Sequence, residues 1–140
     1  MKPRVVCDTN VLVSALIAAG PPSRVVHEAV AGRFSLLLPT VVVDELGRVL
    51  TAKLSFDAVQ WREIEAFLVD LAHEMPAAPG DVPAVSGDRA DDAVLANAFQ
   101  AGAALVVTGD RRHLLPLGTY VGIRLLTPQA FLAELRAGAD

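Results

Sequence analysis

The chain has few of the residues on which several kinds of protein depend. It contains a single cysteine, Cys7, so no disulfide can form within the chain, and this fits a reducing compartment. No uninterrupted apolar run approaches the roughly 18 residues that a membrane-spanning helix needs, and no basic N-terminal stretch precedes an apolar one. The sequence therefore predicts a cytoplasmic protein with no membrane association.

The residues that two kinds of functional site require are also missing from the sequence. The three histidines, His27, His73 and His113, are scattered and do not show zinc-site spacing. The first apolar run leads into Asp8, Thr9 and Asn10, where a nucleotide-binding domain would have a glycine-rich phosphate loop.

The net charge of -4 taken alone argues against a nucleic-acid partner. However, if four of the 16 acids bind metal ions, the other 12 balance the 12 lysines and arginines. Net charge therefore does not decide the partner.

The abundant residues predict an α/β domain. Hydrophobic residues make up 53% of the 140 and aromatic residues 5%, so Val, Leu and Ala must form most of the core. The predicted order of elements is βααβααβαββα, with strands at 4–8, 34–38, 73–75, 104–108 and 124–126. Strands that alternate with helices imply right-handed crossovers and a mostly parallel sheet. We expect one domain over residues 1–140.

Local signals predict helix starts and a loop. Asp57 and Gln60 form a capping-box pattern, and Ser23 is expected to cap the second helix. The stretch 76–87 is rich in proline and glycine and is predicted to be a surface loop. Asp88 is expected to cap the helix that follows this loop.

Two aspartates follow predicted strands. Asp8 ends the first strand, and Asp110 comes after the strand over 104–108. For either residue alone, an Asx-turn is the better interpretation. However, ligands of open parallel sheets gather outside the carboxyl ends of the strands, so we expect both residues at one edge of the sheet.

Helical periodicity brings two further acids to this edge. The stripe predicted to be buried in the helix over 88–102 consists of Val94, Leu95, Ala98 and Phe99. Asp91 lies near the middle of that stripe and therefore needs an interior partner, although a lone acid in a first turn is more often a helix-terminus charge. Glu45 shares a side of its helix with apolar residues, whereas Asp44 points to solvent and serves as the control.

Carboxylates gathered in this way repel one another unless a cation lies between them, and oxygen ligands suit Mg²⁺ or Mn²⁺. Asp8 and Asp91 are predicted to be direct ligands, and Asp110 and Glu45 to be ligands directly or through water. These four residues are the candidate catalytic set.

Other polar residues are assigned supporting roles. Asn10 and Ser14 are expected to orient carboxylates or waters. The hydroxyl of Thr108 would either support Asp110 or cap the turn. The bases nearest to the ligands in sequence, and so the candidate phosphate contacts, are Arg48, Arg89, Arg111 and Arg112. His113 would contact a phosphate or cap a carbonyl, and it is left out of the core site.

Five segments together resemble the PIN-domain family of metal-dependent nucleases, in particular the bacterial branch that includes toxins of toxin–antitoxin systems. They are DTNVLVS (8–14), DELGRVL (44–50), DRADD (88–92), VTGD (107–110) and GIRLLTP (122–128). Each segment is only moderately specific. Their order and spacing over nearly the whole chain carry the resemblance.

The resemblance implies a three-layer α/β/α sandwich with a cleft where Asp8, Glu45, Asp91 and Asp110 hold Mg²⁺ or Mn²⁺. It also implies endonucleolytic cleavage of RNA, an antitoxin partner and a homodimer, for which apolar residues near Trp61 and Phe67 offer a surface. Many relatives have a further acid after the position of Asp110. This chain has two arginines and a histidine there.

Two alternatives remain open. In a phosphohydrolase, Asp8 would be a covalent nucleophile, although such enzymes usually have a second Asp where this chain has Asn10. In a non-catalytic interaction module, the acidic cleft would only seat a basic side chain of a partner.

Overall fold

Five strands form one sheet in the computed structural model, which describes residues 2–139. The strands are β1 (Arg4–Cys7), β2 (Ser35–Leu37), β3 (Leu105–Val107), β4 (Thr119–Tyr120) and β5 (Ile123–Leu126). Their order is β2-β1-β3-β5-β4, and every pairing is parallel except that of β4 with β5. The prediction of a mostly parallel sheet is confirmed.

Six α-helices complete a three-layer α/β/α fold. They are α1 (Thr9–Ile17), α2 (Pro21–Val30), α3 (Thr40–Arg48), α4 (Ala58–Leu71), α5 (Arg89–Gln100) and α6 (Pro128–Ala139). A π-helical turn, Val49–Lys53, extends α3, and a 3₁₀ turn, Leu115–Leu117, precedes β4. Within residues 2–139, no helix combines the length and apolar character that crossing a membrane requires.

Aliphatic side chains of the central strands form the core, as the composition predicts. Val5, Val6 and Val106 are wholly buried between the helical layers. Burial raises the pKa of the Cys7 thiol well above its ordinary value, so the thiol stays protonated and unreactive. Phe34 and Phe131 add an edge-to-face aromatic pair with ring centroids 5.0 Å apart.

The register between β1 and β3 positions the next residue of each strand. Cys7 is paired with Val107, and the N–H of Asp8 donates to the carbonyl of Val107 at 3.0 Å. Asp8 and Thr108 therefore leave the sheet side by side at its carboxyl edge.

Two of the local predictions at helix starts are confirmed and one is wrong. Asp57 and Gln60 form the reciprocal capping box at the start of α4, and Asp88 caps α5. Ser23 lies inside α2, which begins two residues earlier at Pro21. Proline suits a first helical position because its φ is fixed and the missing N–H has no partner there.

The predicted strands were wrong at two places. The segment 73–75 forms only a single parallel bridge, between Leu37 and Glu74, because Pro76 follows and cannot donate to a ladder. The strand β4 was not predicted. Its turn uses positive φ at Val121 (41°) as well as at Gly122 (86°), and a valine carries no turn signal.

Phe99 was predicted to be buried but is 59% exposed. The loop over 76–87 packs along the side of α5 that carries Asn97, whose side-chain amide donates to the carbonyl of Ala77 at 2.7 Å. Phe99 lines a surface groove with Asp81 and Pro83 of this loop. Sequence periodicity cannot show that a loop covers a helix.

Gly47 allows α3 to pack closely against Trp61 of α4. A Cβ atom at this position would lie 2.9 Å from Cε2 and Cζ2 of Trp61. Overpacking of this kind costs about 1–3 kcal/mol, whereas alanine gains roughly 1 kcal/mol over glycine in a helix. We expect Gly47→Ala to lower the free energy of unfolding by up to about 2 kcal/mol in urea denaturation. Gly138→Ala is the control, since a Cβ there meets no described atom within 4 Å. Equal stability of the two variants would contradict the predicted clash.

Candidate metal centre

Asp8 sits at the start of α1 with both carboxylate oxygens engaged. Its Oδ1 accepts from the N–H of Val11 at 3.0 Å, which makes Asp8 the N-cap of the helix. Its Oδ2 accepts from the hydroxyl of Thr108. The residue is only 4% exposed, so its position is fixed and it is largely shielded from water.

Thr108 connects two of the predicted acids. Its wholly buried hydroxyl donates to Asp8 and accepts from the N–H of Asp110 at 3.0 Å. The hydroxyl therefore closes the turn after β3 through the backbone of Asp110, as one of its two predicted roles requires. It also fixes the Asp8 carboxylate, which was not predicted.

A small cavity of about 20 Å³ lies beside Asp8. It is lined by Asp8, Thr9, Asn10, Glu45, Ala90, Asp91 and Val94. Glu45 reaches it from α3 and Asp91 from the first turn of α5, whereas Asp44 is exposed and lines a different groove. The cavity has room for one water-sized body. Asn10 and Ala90 at its border are exposed, so the cavity lies next to solvent.

Asp110 lies against Asp91 but does not line the cavity. Its Oδ1 accepts from the N–H groups of Arg112 at 2.8 Å and His113 at 2.9 Å, an Asx-type turn. Its Oδ2 is 3.5 Å from Nδ1 of His113, and the same nitrogen is 3.7 Å from Oδ2 of Asp91. The imidazole of His113 therefore faces two of the predicted ligands.

The pKa values show that the carboxylates disturb one another. Burial raises the pKa of Asp8, and the charges of Asp110 and Glu45 raise it further against the effect of its two hydrogen bonds. Burial and then the neighbouring Asp110 raise the pKa of Asp91 to about 8. Burial also opposes ionisation of Asp110, but hydrogen bonds from His113, Asp91 and Arg112 outweigh it and lower the pKa. Asp8, Glu45 and Asp91 thus line one cavity, and Asp110 lies against Asp91 and adds its charge to theirs.

The comparison with protein families agrees with this arrangement. The model of the PIN domain matches residues 4–112, which include all four acids. The chain belongs to the PIN domain family. PIN domains are generally metal-dependent nucleases, so the fold is of a nuclease type and its acidic group can bind a metal. No curated protein sequence is significantly similar to the chain.

The structure of this PIN domain places at the site two residues, Asp88 and His113, that were not among the predicted ligands. Asp88, Asp91 and His113 each offer a ligand atom, and these atoms all lie within 4.8 Å of one another. Thr9 is buried and lines the cavity. The sequence predicts Asp88 only as a helix cap and His113 only as a residue outside the site. The i, i+3 spacing of Asp88 to Asp91 and of Asp110 to His113 was the available signal.

Other predicted residues lie away from the cavity. Ser14 is exposed on α1 and does not line the cavity. Arg48 lines a separate groove with Asp44 and Trp61. Arg111 and Arg112 are exposed in the turn after Asp110, next to the acidic group.

Asp91→Asn should stabilise the metal-free PIN domain. The native pKa of about 8 lies above the ordinary 3.8, so wild-type stability falls as the pH rises from about 4 to about 8. Asparagine carries no charge and avoids this loss. In urea denaturation with EDTA at pH 7.5, we expect the free energy of unfolding to rise by about 1–3 kcal/mol, with no difference near pH 3. The exposed Asp44→Asn should gain nothing. A gain that persists at pH 3 would contradict the electrostatic cause.

Proposed function

We propose that the protein is a Mg²⁺- or Mn²⁺-dependent endoribonuclease that hydrolyses RNA phosphodiester bonds in the cytoplasm. The observation that supports this most directly is the convergence of Asp8, Glu45, Asp91 and Asp110 on one site, where burial and mutual repulsion raise the pKa of two of them. Family membership supports the hydrolase activity and the RNA substrate.

The donor set fits a hard divalent cation. Carboxylates of Asp8, Glu45 and Asp91 line the cavity, and Asp110 lies against Asp91. Oxygen donors suit Mg²⁺ and Mn²⁺, and the cavity accommodates one body of the size of a water molecule. The bound cation would supply Lewis-acid polarisation of the scissile phosphate and activation of the attacking water.

The role of the surrounding residues is to hold the carboxylates still. The hydroxyl of Thr108 and the N–H of Val11 fix Asp8, and the N–H groups of Arg112 and His113 fix one oxygen of Asp110. Because these donors belong to a rigid sheet edge and a tight turn, little reorganisation is needed when the phosphate binds.

Exposed arginines beside the acidic group would bind the substrate backbone. Arg111 and Arg112 follow Asp110 directly and present guanidinium groups to solvent. Arg48 lies in a separate groove on α3 and would contact the RNA further from the scissile bond. These contacts neutralise phosphates and carry no base preference.

A covalent role for Asp8 is disfavoured. A nucleophilic carboxylate must reach the phosphorus, but Asp8 is buried and both its oxygens accept hydrogen bonds. The hydrolytic water is a better nucleophile at this site, so the phosphohydrolase alternative is the weaker one.

The toxin role extends the same proposal. The segment 122–128 resembles the toxin branch, and the carboxylates around the cavity would attract an arginine of an antitoxin. For the proposed homodimer, Phe67 is 46% exposed on α4, where Val59 and Val69 are exposed too, while Trp61 packs against Gly47. Phe67 is therefore the better candidate for a dimer contact.

Binding of Mn²⁺ should raise the melting temperature of the wild-type protein. A ligand at 100 times its dissociation constant stabilises the native state by about 2.7 kcal/mol. Differential scanning fluorimetry should show an upward shift with Mn²⁺ that Asp8→Asn and Asp91→Asn abolish. Asp44→Asn, on the same helix as Glu45 but outside the cavity, should keep the shift. Loss of the shift in this control would contradict the proposed ligand set.

Cleavage of RNA should follow the same pattern. We expect Asp8→Asn and Asp91→Asn to lower the single-turnover rate on a labelled single-stranded RNA by at least about 100-fold, since they remove charge from the site of the cation. Asp44→Asn should cleave at the wild-type rate, and EDTA should stop cleavage by the wild type. Wild-type cleavage that survives EDTA would refute the metal-dependent mechanism.

A further inference from the structure

The loop over 76–87 is tied to α5 at both of its ends. At the end far from the acidic site, the Asn97 side chain, which is 1% exposed, donates to the carbonyl of Ala77 at 2.7 Å. At the end near the site, Asp92 is 5% exposed and binds Val85 and Ser86. The two attachments differ in chemistry, because only the second uses a carboxylate.

Asp92 holds the loop through one oxygen. Its Oδ1 accepts from the N–H of Val85 at 3.1 Å, from the N–H of Ser86 at 2.7 Å and from the Ser86 hydroxyl at 2.7 Å. Asp88, not Asp92, caps the helix. The carboxylate of Asp92 is therefore committed to the loop. Charge-assisted bonds of this kind are roughly twice as strong as neutral ones.

Ser86 links Asp92 to Asp88 by hydrogen bonds. Its Oγ accepts from the N–H of Asp88 at 3.2 Å and lies 3.0 Å from the carbonyl oxygen of Asp88. Between them, Gly87 has φ of 88°, a conformation that glycine adopts without strain. The turn brings the backbone close to the ring of His113, since a Cβ on Gly87 would lie 3.7 Å from its Cδ2.

Asp88 passes the restraint to Asp91. Its Oδ1 accepts from the N–H of Asp91 at 3.0 Å, and its carboxylate lies in the same group as Asp91 and His113. A shift of the turn would therefore move the start of α5 and the Asp91 carboxylate with it.

We propose that Asp92, acting through Ser86, is a positioning residue that holds Asp88 and Asp91 in place for cation binding. This inference rests on the proposed function, because it concerns the affinity of that site for its cation. Asp92 does not line the cavity. Its effect is transmitted by hydrogen bonds, as partners of metal ligands commonly act.

The test measures Mn²⁺ affinity by isothermal titration calorimetry at a temperature where every variant is folded. Ser86→Ala and Asp92→Ala should weaken binding about 10–100-fold, the range usual for partners that orient metal ligands. Asp92→Asn should recover most of the affinity, because its amide oxygen can accept the same bonds. Asn97→Ala is the matched control. It frees the far end of the same loop from the same helix and should lower the melting temperature without changing Mn²⁺ affinity.

Different outcomes overturn different claims. Unchanged affinity in Ser86→Ala and Asp92→Ala, with binding still weakened by Asp8→Asn, overturns the positioning role alone. Equal weakening by Asn97→Ala also overturns it, since any loosening of the loop would then suffice. If Asp92→Ala does not fold, Ser86→Ala decides the question alone. Mn²⁺ binding that Asp8→Asn leaves intact overturns the proposed function and the inference together.

Discussion

The site depends on the parallel register between β1 and β3. That register places Asp8 beside Thr108, and a single buried hydroxyl then joins the carboxylate of Asp8 to the backbone of Asp110. A shift of one residue would turn these side chains to opposite faces of the sheet and separate them. The register itself is held by buried valines, so the packing of an apolar core determines where the carboxylates lie.

The fold holds these charges together at an energetic cost. Burial and neighbouring acids raise the pKa of Asp8 and of Asp91, so the metal-free native state resists full ionisation of the site. The cost is local, because the buried aliphatic side chains of the central strands supply ample burial. A site whose repulsion a divalent cation would relieve is therefore compatible with a stable metal-free domain.

Much of the fold was predictable because it follows periodicities within single segments. Alternating strands and helices gave the parallel sheet, and the helical face separated Glu45, which lines the cavity, from the exposed Asp44. The features that could not be predicted depend on contacts between segments that are distant in sequence. The loop over 76–87 covers one side of α5 and buries Asp92 and Asn97. Such contacts have no local signature.

The first turn of α5 explains why residue type alone could not assign roles. Asp88, Asp91 and Asp92 lie within five residues, yet each meets different donors. Asp88 caps the helix through the N–H of Asp91. Asp92 is buried, but three donors from the loop outweigh the burial and lower its pKa, whereas Asp91 faces other carboxylates and its pKa rises. Because neighbouring aspartates are driven in opposite directions by their partners, the groups that each carboxylate meets, and not its residue type, set the direction of its pKa shift.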